Sequence, residues 1–361
     1  VWRLHGRNLP RLWFTARIRR RLGGGLILAG LAAATGCGWT PQQKAIGYAY
    51  AGPSALNLRA DLGLRAPTIE TLSHGDRLEI LETKRRFVKV RTESGAIGWT
   101  DSSYLLTQSQ MDDLTRLNQR AAQMPSQGAA TVFDTLNVHI SASRTAPSFV
   151  QLEEGDPIEV LAHRVTERGG DATRPADDWF LVRTPEGRAG WVLSRMVLMT
   201  IPDEVAQYAN GHYIMAYHPL GEAPGPGPRK FHWLWATAAH ARQPFDFDSL
   251  RVFVYNPRTG SYGTVFVERN LKGFYPLELT DVPGESGQGF SAVVEEKDGT
   301  LVRRTYLFNG ARVKLIGKQP YAFPPPLPEV GTAAKAFDTH APHEKTWAEK
   351  VREFASWWLG I

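Results

Sequence analysis

The stretch GWTDSSYL at residues 98–105 decides the fold, because GWVLSRMV at residues 190–197 nearly repeats it. Working outward, LNLRA (56–60) is matched by LNVHI (136–140), and LSHGDRLEIL (72–81) by LEEGDPIEVL (152–161), both at an offset of 80. FVKVRTESGAIGW (87–99) is matched by WFLVRTPEGRAGW (179–191) at an offset of 92. The second half therefore holds 12 extra residues between Leu161 and Trp179, polar and carrying Gly and Pro, as a hairpin loop does.

Each half reads as short strands joined by tight turns. LNL, RLEIL and PIEVL alternate apolar and polar residues, the pattern of a strand with one buried face. The Gly-Asp pairs read as turns, since Gly accepts a positive φ and Asp bonds the backbone ahead of it. FVKVR and WFLVR are the return strands, ESG and PEG the next turns, and GW opens the last strand. Five short strands in about 60 residues predict a small closed β-barrel.

Asn57-Leu58-Arg59, Gly75-Asp76, the Phe87/Trp179 position, the two Gly-Trp pairs and Tyr104-Leu105 together resemble the bacterial SH3-like domain family. The first half matches along its length. The second departs from it, with His139 where Arg is usual and Met196-Val197 in place of Tyr-Leu. The resemblance implies two SH3-like barrels in tandem, at 48–107 and at 129–199 with a loop insert near 165–178. Such modules sit in envelope proteins, bind cell-wall peptides or glycans or dock proteins, and carry no catalysis of their own.

Between them, 108–128 is a helical linker, with Met111, Leu114, Leu117 and Ala121 at helical spacing. Residues 200–322 follow as a series of strands with hairpin signals at NPRTGS, KDGT and Asn309-Gly310. They predict an antiparallel β domain of no recognised family. In it, YGTVFVER and GFYPLELT read as separate strands. Residues 323–361 begin as a Pro-rich spacer and end with Trp347, Val351, Phe354 and Trp358 on one face of an amphipathic helix. That helix has three candidate contacts: the protein's own β surface, a membrane interface or a partner. The expected fold class is thus mainly β: two small barrels, an antiparallel β domain, short linker helices and a C-terminal helix.

The net charge of +6 does not indicate nucleic-acid binding. Seven arginines and no acid lie in the first 36 residues; without them the net charge falls to −1. That segment sets a basic cluster before the apolar run 22–34, too short for a bilayer span, and fits a secretory signal over 1–36. Ala34-Thr35-Gly36-Cys37 resembles a bacterial lipobox, although Ala34 stands where Leu is usual. Cys37, the one cysteine of the chain, is the expected lipidation site, with 37–47 as the linker beyond it. The resemblance implies an exported lipoprotein at the periplasmic face of a membrane.

No catalytic residue, metal site or cofactor is expected. A cysteine peptidase needs a thiolate beside a histidine, and Cys37 lies at the export junction. No His-Glu-x-x-His occurs; His212 with His218, His232 with His240, and Asp246 with Asp248 are the remaining groupings to weigh. Candidate ligand contacts are Tyr104, Trp99, Trp191, Arg85 and Arg86. Each tryptophan either stacks on a ligand or fills its barrel, and the arginines are either a solvated turn or a contact for anionic polymers. The reading is a non-catalytic envelope protein that binds cell-wall peptide or glycan or scaffolds other components. The alternatives are an envelope hydrolase with its site in the unrecognised β domain and a docking subunit of an envelope assembly.

Overall fold

Strict alternation of burial along Gly47–Ala51 and Leu56–Arg59 sets one face of the first sheet against a core. The computed structural model describes residues 43–63, 65–168, 173, 175–225, 228–327 and 337–338. The signal-like segment, Cys37 and the helix of Trp347, Phe354 and Trp358 lie outside them. Among the described residues no helix is long and apolar enough to cross a membrane.

The first sheet comprises β1 (Gly47–Ala51), β2 (Leu56–Arg59), β3 (Thr68–Leu72), β4 (Arg77–Lys84), β5 (Phe87–Arg91), β6 (Ile97–Asp101) and β7 (Leu105–Leu106), in the order β3-β2-β6-β5-β4-β1-β7. The second comprises β8 (Gly128–Val132), β9 (Leu136–His139), β10 (Ser148–Leu152), β11 (Pro157–Thr166), β12 (Asp177–Arg183), β13 (Ala189–Leu193) and β14 (Val197–Met199), and its order, β10-β9-β13-β12-β11-β8-β14, is the same. The small features coincide as well. Both central hairpins carry a register break one residue after the paired Ile80 or Val160. Arg91 pairs with Glu79 at 2.6 Å, and Arg183 donates from Nε to Glu159 at 2.9 Å. Arg59 Nη1 donates to the Ala66 carbonyl at 3.0 Å; at the matching place His139 Nδ1 donates to the Ala146 carbonyl at 2.9 Å. A shorter side chain thus makes the same bond.

The expected closed barrels are open sheets in hydrogen-bonding terms. Among the described residues β3 pairs with β2 alone, and the two-residue β7 pairs with Tyr50 and Ala51 of β1, so the ends never meet; β10 and β14 are likewise unjoined.

The helix α1 (Gln108–Ala122) joins the two sheets. Thr107 caps it reciprocally: its Oγ1 accepts from Gln110 N at 3.3 Å, and its own N–H donates to Gln110 Oε1 at 3.0 Å. Both residues are buried. Thr107→Ala is expected to cost about 1 kcal/mol in urea denaturation, because it orphans a helix N–H that water cannot reach.

A short helix, α2 (Asp203–Ala206), leads to a third sheet of seven antiparallel strands in chain order: β15 (Tyr213–Glu222), β16 (Phe231–Ala238), β17 (Phe247–Asn256), β18 (Ser261–Thr280), β19 (Gln288–Glu295), β20 (Leu301–Phe308) and β21 (Val313–Pro320). The two strands expected within residues 261–280 are one, β18. It pairs with β17 from Ser261 to Arg269 and again at Gly273, where its pairing with β19 begins, and Asn270, at φ +58°, lies in the bulge between the two stretches. A residue with turn chemistry here redirects a strand without ending it.

Buried side chains of α1 and of the second and third sheets form one continuous core, while the first sheet keeps its own. Gln127 holds the larger assembly together. It is 0% exposed; its N–H donates to Val160 O, its carbonyl accepts from Tyr217 N, and its Oε1 accepts from Leu277 N at 2.8 Å. Arg120 of α1 donates to Pro325 O at 3.2 Å, so the proline run lies along that helix. Phe337 packs on the first core, and Asp338 pairs with Tyr48 and accepts from Gln108 N at 2.8 Å.

Candidate functional site

Period-two alternation turns Leu56 and Leu58 of β2 inward and leaves Asn57 and Arg59 outward; on β6 it turns Gly98 and Thr100 inward and Trp99 and Asp101 outward. The register sets Arg59 directly opposite Trp99. Asp101 then fixes the next turn. Its Oδ1 accepts from Ser103 N at 3.0 Å and its Oδ2 pairs with Arg86 Nε at 3.2 Å. Beyond the turn Tyr104 stands 46% exposed. Together they line a cleft of about 410 Å³, whose far wall is built by Asn137, Ser148 and Gln151 of the second sheet.

The cleft offers three aromatic side chains (Phe87, Trp99 and Tyr104), two guanidinium groups, the carboxylates of Asp61 and Asp101, and several side-chain amides. Aromatic faces stack on sugar rings or apolar peptide edges, while amides and guanidiniums fix orientation through hydrogen bonds. Arg86 lies over the Phe87 ring at 5.0 Å, which holds its charge at the cleft edge.

Of the residues singled out in the sequence, Trp99, Tyr104 and Arg86 come together here. Arg85 occupies the turn between β4 and β5 at φ +56°, exposed and outside the cleft lining. Trp191 is 3% exposed, belongs to the buried cluster shared by the second and third sheets, lies under the Arg164 guanidinium at 4.8 Å from its ring, and does not line the Trp99 cleft. Asn137 and Gln151 were not singled out. They are exposed polar residues on strands, and only the docking of one sheet beside the other brings them to Trp99.

Residues 54–105 match the family described as bacterial SH3 domain. The chain thus contains one SH3-like domain, spanning β2 to β7. No curated protein matches the chain. Among solved structures, NlpC2 from Trichomonas vaginalis aligns at 11% identity over 77% of this chain and 98% of its own, with a TM-score of 0.16. NlpC1 from the same organism aligns at 10% identity over 78% and 95%, TM-score 0.16. An NlpC/P60 family protein from Bacillus cereus aligns at 12% identity over 78% and 97%, TM-score 0.19. Scores this low establish no common arrangement.

Outside the SH3 domain a buried charge cluster centres on His163, a residue the sequence reading passed over. In β11 it occupies the place Thr83 holds in β4, paired with Phe180 as Thr83 is with Val88. Its side chain is 4% exposed. Nδ1–H donates to Asp246 at 2.8 Å and Nε2–H donates to Asp178. Burial alone would push the imidazole down; the bonds to Asp178 and Asp246 and the attraction of both carboxylates outweigh it and lift the pKa to about 9. At neutral pH this is an imidazolium with both protons committed. It clamps the second sheet to the segment entering β17 and leaves no ring nitrogen to act as a base.

Of the other histidines, His212 and His240 line one cleft of about 610 Å³ with His163 and Asp246. His218 is half-buried, donates Nε2–H to Leu277 O at 2.9 Å and is pushed down to about 4 by loss of solvation. His232 accepts from Tyr255 N at 3.2 Å, and His212 bonds Ala209 O at 2.9 Å. Asp246 and Asp248 do not face one way: the first meets His163 and Tyr275 N, the second accepts from Ala239 N. Among the described residues no group of three His, Cys, Asp or Glu side chains is placed to hold a metal.

Proposed function

We propose that this protein is a non-catalytic component of a bacterial cell envelope, and that its SH3 domain takes cell-wall peptide or glycan in the cleft of Trp99, Tyr104 and Arg86. The observation that carries this reading is the convergence of those three side chains with Arg59 on one 410 Å³ cleft. The second sheet is, in this reading, a second SH3-like copy that walls the cleft and does not open one of its own. The common strand order, the common register break and the His139 bond that replaces the Arg59 bond support it. Cys37 is the proposed lipid attachment point that tethers the assembly beside the wall.

Co-sedimentation with purified peptidoglycan tests the reading. Trp99→Ala and Tyr104→Ala are each expected to weaken retention about tenfold, equivalent to about 1.4 kcal/mol, the range of an aromatic contact near the centre of an interface. Arg85→Ala is expected to sediment like wild type. Unchanged retention of both aromatic variants would move the function to protein docking.

A further inference from the structure

The third sheet carries a second concave site, far in sequence from the SH3 domain. Strand register builds it. Trp235 of β16 lies opposite Arg251 of β17, which lies opposite Val267 of β18; the next row on the same face is Thr237, Ser249 and Arg269. Arg251 and Arg269 are therefore diagonal neighbours on one face of three adjacent strands, a relation within reach of long side chains. They line a cleft of about 390 Å³ closed by Tyr208, Asn210 and Asn270.

Among the described residues neither arginine forms an ion pair with a carboxylate. The Arg251 guanidinium sits against aromatic rings, 5.8 Å from the centre of Trp235 and 5.6 Å from that of Phe253. Among the described residues its buried Nε has no hydrogen-bond partner, and its Nη1 reaches only the Tyr208 carbonyl, at 3.5 Å. Burial first, and the Arg269 charge second, pull Arg251 below its ordinary pKa. Of the carboxylates nearby, Glu268 is turned away and spent on Arg304 and Tyr306, while Asp248 shares the lining of the cleft, held there by Ala239 N at 2.8 Å, and forms no ion pair with either arginine among the described residues. Two unneutralised guanidiniums side by side repel each other, and a partly desolvated one costs free energy unless an anion meets it. Hydroxyls from Thr237 and Ser249 lie in the same row as Arg269.

We infer that the Arg251–Arg269 cleft binds a small oxyanion, a carboxylate or phosphate carried on a sugar-sized polar molecule. A planar or tetrahedral oxyanion accepts from both forks at once, and the volume beyond the guanidiniums, bounded by Asn210, Asn270 and Tyr208, suits a hydroxylated body. The site is independent of the Trp99 cleft.

Isothermal titration calorimetry of the full chain at low salt tests it with three probes: glucose 6-phosphate, glucuronate and glucose. At least one of the charged sugars is expected to bind tenfold or more tightly than glucose; which one binds distinguishes a phosphate from a carboxylate source. Arg269 is exposed, so Arg269→Ala keeps the fold, and it is expected to weaken that binding at least tenfold. Trp99→Ala is expected to leave it unchanged. If neither charged sugar outbinds glucose, or if Arg269→Ala binds like wild type, the inference is overturned.

Discussion

His163→Ala is expected to destabilise the protein by about 3–5 kcal/mol at neutral pH, the range found when one partner of a buried ion pair is removed. The imidazole is replaced by a methyl group, and the Asp178 and Asp246 carboxylates, with side chains 15% and 14% exposed, are left facing each other without their shared cation. The pH dependence identifies the cause. The folded pKa of His163 is raised, from an ordinary 6.5 to about 9, so its contribution is complete below 6.5 and is lost as pH rises through 9. The shift corresponds to about 3 kcal/mol. Asp178 is held below its ordinary 3.8, its own burial being outweighed by the His163 bond and charge, so its share is present above 3.8 and is lost as pH falls through the depressed value. The clamp is strongest between those limits. Urea unfolding of wild type and His163→Ala at pH 6, 7.5 and 9.5 should show the gap between them narrowing as pH rises. A gap of constant size would mean that His163 contributes packing alone.

The clamp shows where sequence reading stops. Alternation in LNLRA or FVKVR reports which side of its own strand a residue faces, yet the sequence left open whether Trp99 stacks on a ligand or fills its barrel. It says nothing of which surface docks on which. His163 and Asp246 are 83 residues apart and meet only where the second and third sheets share a core. The 12-residue insert was visible as polar chain between Leu161 and Trp179, and it was read as a loop. Part of it lengthens the hairpin: β11 runs to Thr166 and β12 starts at Asp177, and that extension carries Asp178. Likewise Asn270 has the chemistry of a turn, and only long-range pairing on both sides keeps β18 unbroken. Arg251 and Arg269 became neighbours through register alone, a quantity that no local pattern within β17 or β18 encodes.

Gly98→Ala and Gly190→Ala are expected to be nearly equal in stability cost and unequal in function. A Cβ on Gly98 would lie 2.6 Å from Leu58 Cγ and 2.7 Å from the Arg59 carbonyl oxygen; on Gly190 it would lie 2.5 Å from Val138 Cγ1 and 2.8 Å from the His139 carbonyl oxygen. The side chains can yield, but the carbonyls belong to the strand opposite and cannot retreat without opening the β2–β6 or β9–β13 pairing. This close approach of two backbones is the physical content of the repeated Gly-Trp, and each methyl group should cost about 3 kcal/mol, the upper end for overpacking a dense interior. Urea titration of both variants measures it. The consequences then diverge. Displacing β6 moves Trp99, so Gly98→Ala should lose most wall retention even at temperatures where it stays folded. Displacing β13 moves Trp191, which already lies under Arg164 and away from the cleft, so Gly190→Ala should retain binding while folded. Equal loss of retention in both would mean that wall contact depends on the joint rigidity of the two sheets, and the Trp99 cleft would no longer explain it.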